Sequence, residues 1–294
     1  MQLFINQLLN GVGNGVVFAS VALALVLIHR TTGVLNFAQG EMALFSAYVS
    51  WKLTDTGLSV WLAIAISMAI AFVAGAVIER TLIRPMEGRS PLNVVIITLG
   101  LFLGINALVQ LIFGTDPQTM PSPFPEGSVP FLADTRLQKD TIGLMVVLLV
   151  QCLILWLLLN RTSLGLKLRA VASNRDSARL HGIKSGTMLM FGWGLSAAIG
   201  ALAGSLVASD RNALDASLMQ VVLVYALAAA ALGGFDSIWG AVVAGLIVGI
   251  ADALTIQYVD ALDGIEVVLP LALIMVVLVV MPNGLFGKRT VERV

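Results

Sequence analysis

Eight long apolar runs, at about residues 8–28, 59–78, 92–113, 141–159, 187–209, 217–233, 238–258 and 265–282, constrain this 294-residue chain more than any other feature. A helix needs roughly 20 mostly apolar residues to cross a hydrocarbon core about 30 Å thick, and these runs are close to that length. Each is apolar in both parities, which excludes the short alternating segments of a membrane β-barrel. Hydrophobic residues make up 58% of the chain and charged residues 12%, about half the charged share of a soluble domain. That leaves too little polar surface to clothe a soluble exterior. The expected fold class is therefore all-α: a polytopic helical membrane protein with about eight or nine membrane helices. The ninth is the segment from Leu35 to Trp51, which is shorter and carries Asn36, Gln39 and Glu41. It reads as a short or broken membrane helix, or as an amphipathic helix at the interface.

Sidedness follows from Lys and Arg, which accumulate in cytoplasmic loops. The loop from Glu79 to Pro91 carries Arg80, Arg84 and Arg89. The loop from Asn160 to Gly186 carries Arg161, Lys167, Arg169, Arg175, Arg179 and Lys184 against one acid, Asp176. The tail adds Lys288, Arg289 and Arg293. All three are expected in the cytoplasm. The loop from Gly114 to Asp140, with Asp116, Glu126, Asp134 and Asp140 against Arg136 and Lys139, and the loop holding Asp260, Asp263 and Glu266 are expected outside. Counting the 35–51 helix as a crossing makes every loop alternate, with the N-terminus external and the C-terminus cytoplasmic. The external loop contains Pro117, Pro121, Pro123, Pro125 and Pro130. Proline lacks an N–H donor, so this loop is expected to be ordered by packing rather than by secondary structure. Residues 1–294 read as a single transmembrane domain with a short cytoplasmic helical loop at 160–186.

The opening MQLFINQLLNGVGNG has no Lys or Arg. It lacks the basic region of a signal peptide, and the first apolar run is expected to stay as a span. The single cysteine, Cys152, cannot form an internal disulfide, and no metal-spaced Cys/His cluster occurs. His29 and His181 read as interfacial. Basic and acidic residues balance at 17 each, and no nucleic-acid partner is expected.

Polar groups in hydrocarbon are costly, so each is a candidate site. In TGVLNFAQGE, Thr32 to Glu41, Gly33 and Gly40 frame Asn36, Gln39 and Glu41. Glycine permits a helix break, and broken helices expose backbone that binds polar ligands. These side chains line a substrate path or gate, or they stitch two helices together. Asp252 lies inside the 238–258 run, facing a hydrated path or paired structurally. Asn106, Gln110 and Tyr225 are further candidates for a polar lining, Thr98 for a bond to its own helix, and Asn10 with Asn14 for a cross-link between neighbours. Gly11 with Gly15, Gly100 with Gly104, Gly245 with Gly249, and Ser196 with Gly200 and Gly204 repeat a four-residue spacing of small residues. Such faces let helices approach closely, for static packing or for sliding during transport.

The 160–186 loop is longer than a connection requires. Ser173 or Asn174 suits an N-cap, Asp176 the positive helix start and Gly182 a stop. A short exposed helix of about two turns is expected there, either a solvated basic connector or a docking helix. No G-x-x-x-x-G-K-[ST] loop, G-x-S-x-G, H-E-x-x-H or arginine ladder occurs, so nothing marks the chain as an ATPase, a membrane enzyme or a voltage sensor.

Taken in order, TTGVLNFAQGE, ERTLIRP, NRTSLGLKLRAVASNRDSARLHGI, ALGGFDSIWGAVVAGLIVGIAD and MPNGLFG resemble the permease subunits of branched-chain amino-acid ABC importers, and most closely the shorter of the two paired types. The resemblance covers nearly the whole chain. It implies a bacterial inner-membrane permease fed by a periplasmic substrate-binding protein. It also implies a second homologous permease and two cytoplasmic ATP-binding subunits. The permease itself would carry no cofactor, with ATP and magnesium held by the ATPases. Asn174, Arg175, Asp176, Ser177, Ala178, Arg179 and Leu180 would then form the coupling helix. The chain departs from the family pattern at Gln39, where His is frequent, at His29, where Tyr is frequent, and at Asp252, where Glu is frequent. Permeases for urea, short amides and small organic solutes look similar. An ion-coupled transporter or channel, with Asp252 and Glu41 as coupling sites, is the alternative from the residues alone.

Overall fold

The computed structural model describes residues 2–86, 90–130, 136–259, 268–281 and 283–287. Arg89, Asp134, Asp260, Asp263, Glu266, Lys288, Arg289 and Arg293, which carried part of the charge argument, lie outside the described residues, as does Pro282 of MPNGLFG. The described chain is built from α-helices. Six are long and apolar enough to cross a membrane, spanning Gln2–Thr32, Val60–Met86, Leu92–Phe113, Lys139–Arg161, Ser185–Arg211 and Ile238–Tyr258. Leu218–Gly233 is apolar but shorter. The protein is an all-α polytopic membrane protein.

In chain order the helices are α1 Gln2–Thr32, α2 Gln39–Asp55, α3 Val60–Ile78, α4 Pro91–Phe113, α5 Lys139–Arg161, α6 Ser163–Ser173, α7 Arg175–Leu180, α8 Ser185–Arg211, α9 Leu218–Gly233, α10 Ile238–Tyr258 and α11 Val268–Val280. After α3 the chain tightens into a π turn, Glu79–Ile83, and a 3-10 turn, Arg84–Met86. Local chemistry sets several boundaries. Ser90 caps α4 by accepting from Leu92 N (3.4 Å), with Pro91 opening the first turn. Ser237 caps α10 through Gly240 N at 3.0 Å. The 35–51 segment is displaced: its helix begins at Gln39 and runs to Asp55. Two expectations need correction. Residues 163–173, read as loop, form α6. The proline-rich loop is not free of secondary structure, because β1 Ser128–Pro130 pairs antiparallel with β2 Arg136–Gln138, in the register Ser128↔Gln138, Val129↔Leu137 and Pro130↔Arg136. Proline is accommodated there because it ends the edge of a two-stranded ladder.

The chain divides into two compact units. The first comprises Met1–Val26, Phe124–Leu149 and Val221–Val294. Its central seam joins α1 to α10. A methyl added to Gly15 would sit 2.7 Å from Leu246 Cα, and one added to Gly11 2.6 Å from Ile250 Cα. Gly249 faces the backbone of Gly15 in return. Two of the four-residue small spacings therefore meet each other, which is how membrane helices gain contact without a hydrophobic driving force. Phe18 stacks on Tyr225, with centroids 4.5 Å apart and planes at 7°.

The second unit comprises Leu27–Pro123 and Val150–Gln220. Here α8 is the axis, and α2 and α3 pack along it. Gly204 leaves room for Ala43, and Gly75 for Trp193 O and Ala197. Ser50 and Ser205 share a hydrogen bond at 2.8 Å, and Ser67 donates to Ser46 O at 2.6 Å. These polar bonds stitch α2 to both neighbours without leaving a bare group in an apolar interior.

Candidate functional site

The helix break comes first. The hydroxyls of Thr31 and Thr32 bond back to the carbonyls of Leu27 and Ile28. Gly33 then adopts φ +75°, which ends α1. The chain turns through 34–38 and re-enters helix at Gln39, so Gly40 does not frame the break but lies inside the first turn of α2. Asn36 makes that restart possible. Its Oδ1 accepts from Ala38 N at 3.0 Å, while Nδ2 donates to Gln39 Oε1 at 3.4 Å. Gln39 is held from both ends by α8: Nε2 donates to Ser196 O (3.2 Å) and Oε1 accepts from Ser196 Oγ (3.1 Å). Asn36 and Gln39 do share one locality, and in this conformation their polar atoms are engaged in fixing the break.

Two residues on, Glu41 is fully buried. Its Oε2 accepts from Asn106 Nδ2 of α4 at 3.0 Å. Asn106 also donates to Ala216 O at 2.8 Å, ahead of α9, and accepts from Gln110 Nε2 at 2.6 Å. The Gln220 amide acts on the same carboxylate. Four candidates, Asn36, Gln39, Glu41 and Asn106, thus belong to the second unit. Ser196 and Gln220 join them. From the sequence, Ser196 reads only as part of a small-residue spacing and Gln220 is not singled out, because an isolated Ser or Gln carries no sign of a polar partner until its neighbour is known.

The other two candidates belong to the first unit. Asp252 accepts from Asn14 Nδ2 at 3.3 Å, so Asn14 does cross-link helices, whereas Asn10 turns to Gln7 one turn before it. Tyr225 stands against Phe18. Both sit on the close-packed wall between α1 and its neighbours. Thr98 bonds its own helix at Val95 O, 2.9 Å.

The basic segment forms a helix pair. Thr162 caps α6 by accepting from Gly165 N at 3.1 Å, and Asn174 caps α7 by accepting from Ser177 N at 2.9 Å. Gly182 at φ +76° stops the chain. Within α7, Ala178 is buried against Val171 and Leu189. Asp176, Ser177 and Arg179 are exposed, and Leu180 is 89% exposed. Arg179 Nε donates to Ser185 Oγ at 2.9 Å, fastening α7 to the first turn of α8. A shallow apolar depression lies beside it, lined by Leu166, Ala170, Ala178 and Ile183.

One polar device escapes sequence reading. Glu79, 1% exposed, receives Arg84 Nη2 at 2.8 Å, and the same Nη2 donates to Gly186 O at 2.7 Å. A separation of five is not the spacing at which helical side chains meet, so ERTLIRP gave only charge. The π turn over Glu79–Ile83 brings acid and base together.

Buried polar groups thus gather at a helix break, in a chain of apolar spans that also presents an exposed basic helix. The chain belongs to the family described as the permease component of branched-chain amino acid transport systems, whose model matches residues 7–280. It is 30% identical to the high-affinity branched-chain amino acid transport system permease protein LivH of Escherichia coli strain K12, covering 99% of this chain and 98% of that protein. It is 27% identical to the corresponding permease protein BraD of Pseudomonas aeruginosa, covering 99% and 98%. A probable branched-chain amino acid transport permease protein of Methanocaldococcus jannaschii is 28% identical over 91% of this chain and 87% of that protein.

Proposed function

We propose that this chain is the permease subunit of an ATP-binding cassette importer for branched-chain amino acids in a bacterial inner membrane. The observation that carries the reading is the full-length match to permeases named for that transport, in a chain that also presents the exposed helix α7. The working complex contains a second homologous permease, two cytoplasmic ATP-binding subunits holding ATP and magnesium, and a periplasmic substrate-binding protein. The N-terminus is external and the C-terminus cytoplasmic, with 1–294 acting as one permease domain.

Residues Asn174, Arg175, Asp176, Ser177, Ala178, Arg179 and Leu180 seat in the ATPase. The exposed Leu180 and basic flank give an anchor with a charged rim, the pattern of a protein contact. Movement of the ATPases reaches α8 through Arg179–Ser185 and α3 through Arg84–Gly186. Asn36, Gln39, Glu41, Asn106, Tyr225 and Asp252 line or gate the path. Within the second unit, Asn36 and Gln39 form the hinge of the break, and Glu41 and Asn106 its polar surface.

The test is the assembled complex in proteoliposomes. Arg175→Glu and Arg179→Glu should insert and fold normally but lower substrate-stimulated ATP hydrolysis by roughly tenfold, as expected when a charge is reversed at a contact. Unchanged hydrolysis in both removes α7 from coupling. Leucine uptake by the chain alone, driven by an ion gradient, overturns the importer reading.

A further inference from the structure

Glu41 is enclosed, yet half of its carboxylate is idle. Oε2 is bound to Asn106, whereas Oε1 has no hydrogen-bond partner among the described residues. No Lys, Arg or His pairs with it among the described residues either. What surrounds the carboxylate is amide: Asn106 and Gln220 directly, and Gln110 behind Asn106. Amides orient a carboxylate but do not cancel its charge. A buried carboxylate without a counter-charge is costly, and this one keeps an oxygen free for a further donor.

The amides also form a route. Gln110 is exposed on α4, Asn106 is half-buried and Glu41 is buried, linked by bonds of 2.6 and 3.0 Å. A polar ladder therefore leads from the helix surface to the carboxylate, where it ends at Oε2 beside the open Oε1. An exposed glutamine in an apolar membrane helix is otherwise a liability. We infer that the Gln110–Asn106–Glu41 ladder is a binding site for a primary ammonium group, with Glu41 Oε1 as its acceptor. A compact ammonium brings full positive charge and donors, one of which the open carboxylate oxygen can accept. The inference rests on the amino-acid importer reading for the identity of the ligand, and assigns the α-ammonium end of that substrate to Glu41.

The test is infrared difference spectroscopy on the purified importer complex, titrated with leucine, isoamylamine, which keeps the ammonium, or isocaproate, which lacks it. Leucine and isoamylamine should perturb a carboxyl band that isocaproate leaves unchanged, and Glu41→Gln should abolish that band. Because Glu41→Gln alters a buried site, Gln110→Leu is the second variant. Gln110 is exposed, so the fold should hold, while the amine concentration for half-effect rises roughly three- to tenfold. No amine-dependent band, a band that survives Glu41→Gln, or an unshifted titration in Gln110→Leu overturns the inference. Leucine uptake by the same complex separates the two readings. Uptake without the band overturns only the ammonium site, and the band without uptake overturns only the importer reading.

Discussion

Asp252 and Glu41 are both carboxylates buried among apolar helices, 4% and 0% exposed, and the protein treats them in opposite ways. Asp252 lies in a seam where two glycine-spaced helices touch backbone to backbone, and it is bonded to Asn14 across that seam. Glu41 lies just after a helix break, bonded through one oxygen to a ladder of amides that ends at an exposed residue. Burial is common to both, so burial does not mark a site. What separates them is whether the polar shell is complete. On that ground Asp252 is a fixture of packing, and Glu41 is a group with capacity left.

The comparison breaks most directly if the wall around Asp252 is not rigid. Gly249 faces the backbone of Gly15 and the carbonyl of Gly11, so a side chain there must push two helices apart. Gly249→Leu is expected to destabilise the protein by about 3 kcal/mol or more, at the upper end for overpacking. Thermal unfolding in detergent should show a large fall in Tm and loss of assembly. Wild-type unfolding would mean that this seam opens readily, and Asp252 would then be a moving part of the path and not a fixed one.

A middle-sized effect tests the Asn14–Asp252 bond itself. Asn14→Leu and Asp252→Leu should each cost about 1–2 kcal/mol, because each removes the part-buried hydrogen bond across the seam. The double variant should cost less than their sum, with a coupling of roughly 0.6–1.7 kcal/mol, the range seen for polar pairs between membrane helices. A double-mutant cycle on unfolding free energies measures it. Zero coupling would show that Asn14 does not hold Asp252.

Much of this architecture was legible before the structure, and the boundary of legibility is physical. The run at 238–258 coincides with α10, because hydrophobic length alone defines a span. Gly182 was legible as a stop, and the cap was narrowed to Ser173 or Asn174, of which Asn174 serves, because capping is local chemistry. The failures involve information that is not local. Residues 163–173 read as loop because Lys167 and Arg169 interrupt the apolar pattern, yet Gly165, Leu168 and Val171 share a buried face of α6. Glu79 and Arg84 read as unrelated charges because their meeting depends on a π turn. The composition singled out Glu41 and Asp252 equally. Their difference is made by Asn106, 65 residues from Glu41, and Asn14, 238 residues from Asp252, and no spacing rule reaches that far.

The smallest expected effect sharpens the comparison by using the same sequence signal in a different setting. Gly100 and Gly104 on α4 repeat the spacing of Gly11 and Gly15, but a methyl added at either meets nothing within 4 Å. If spacing alone made a seam, Gly100→Ala would resemble Gly249→Leu in direction. If contact makes it, the isolated chain should tolerate Gly100→Ala with a change of no more than about 0.5–1 kcal/mol, in the stabilising direction, since glycine costs backbone entropy in a helix interior. Unfolding of the isolated chain tests this, and a marked loss of stability would show that α4 packs on a neighbour there. Repeating the measurement on the assembled importer adds a second reading. A defect confined to the complex would show that a partner helix lies on Gly100, on the same helix that carries Gln110 and Asn106.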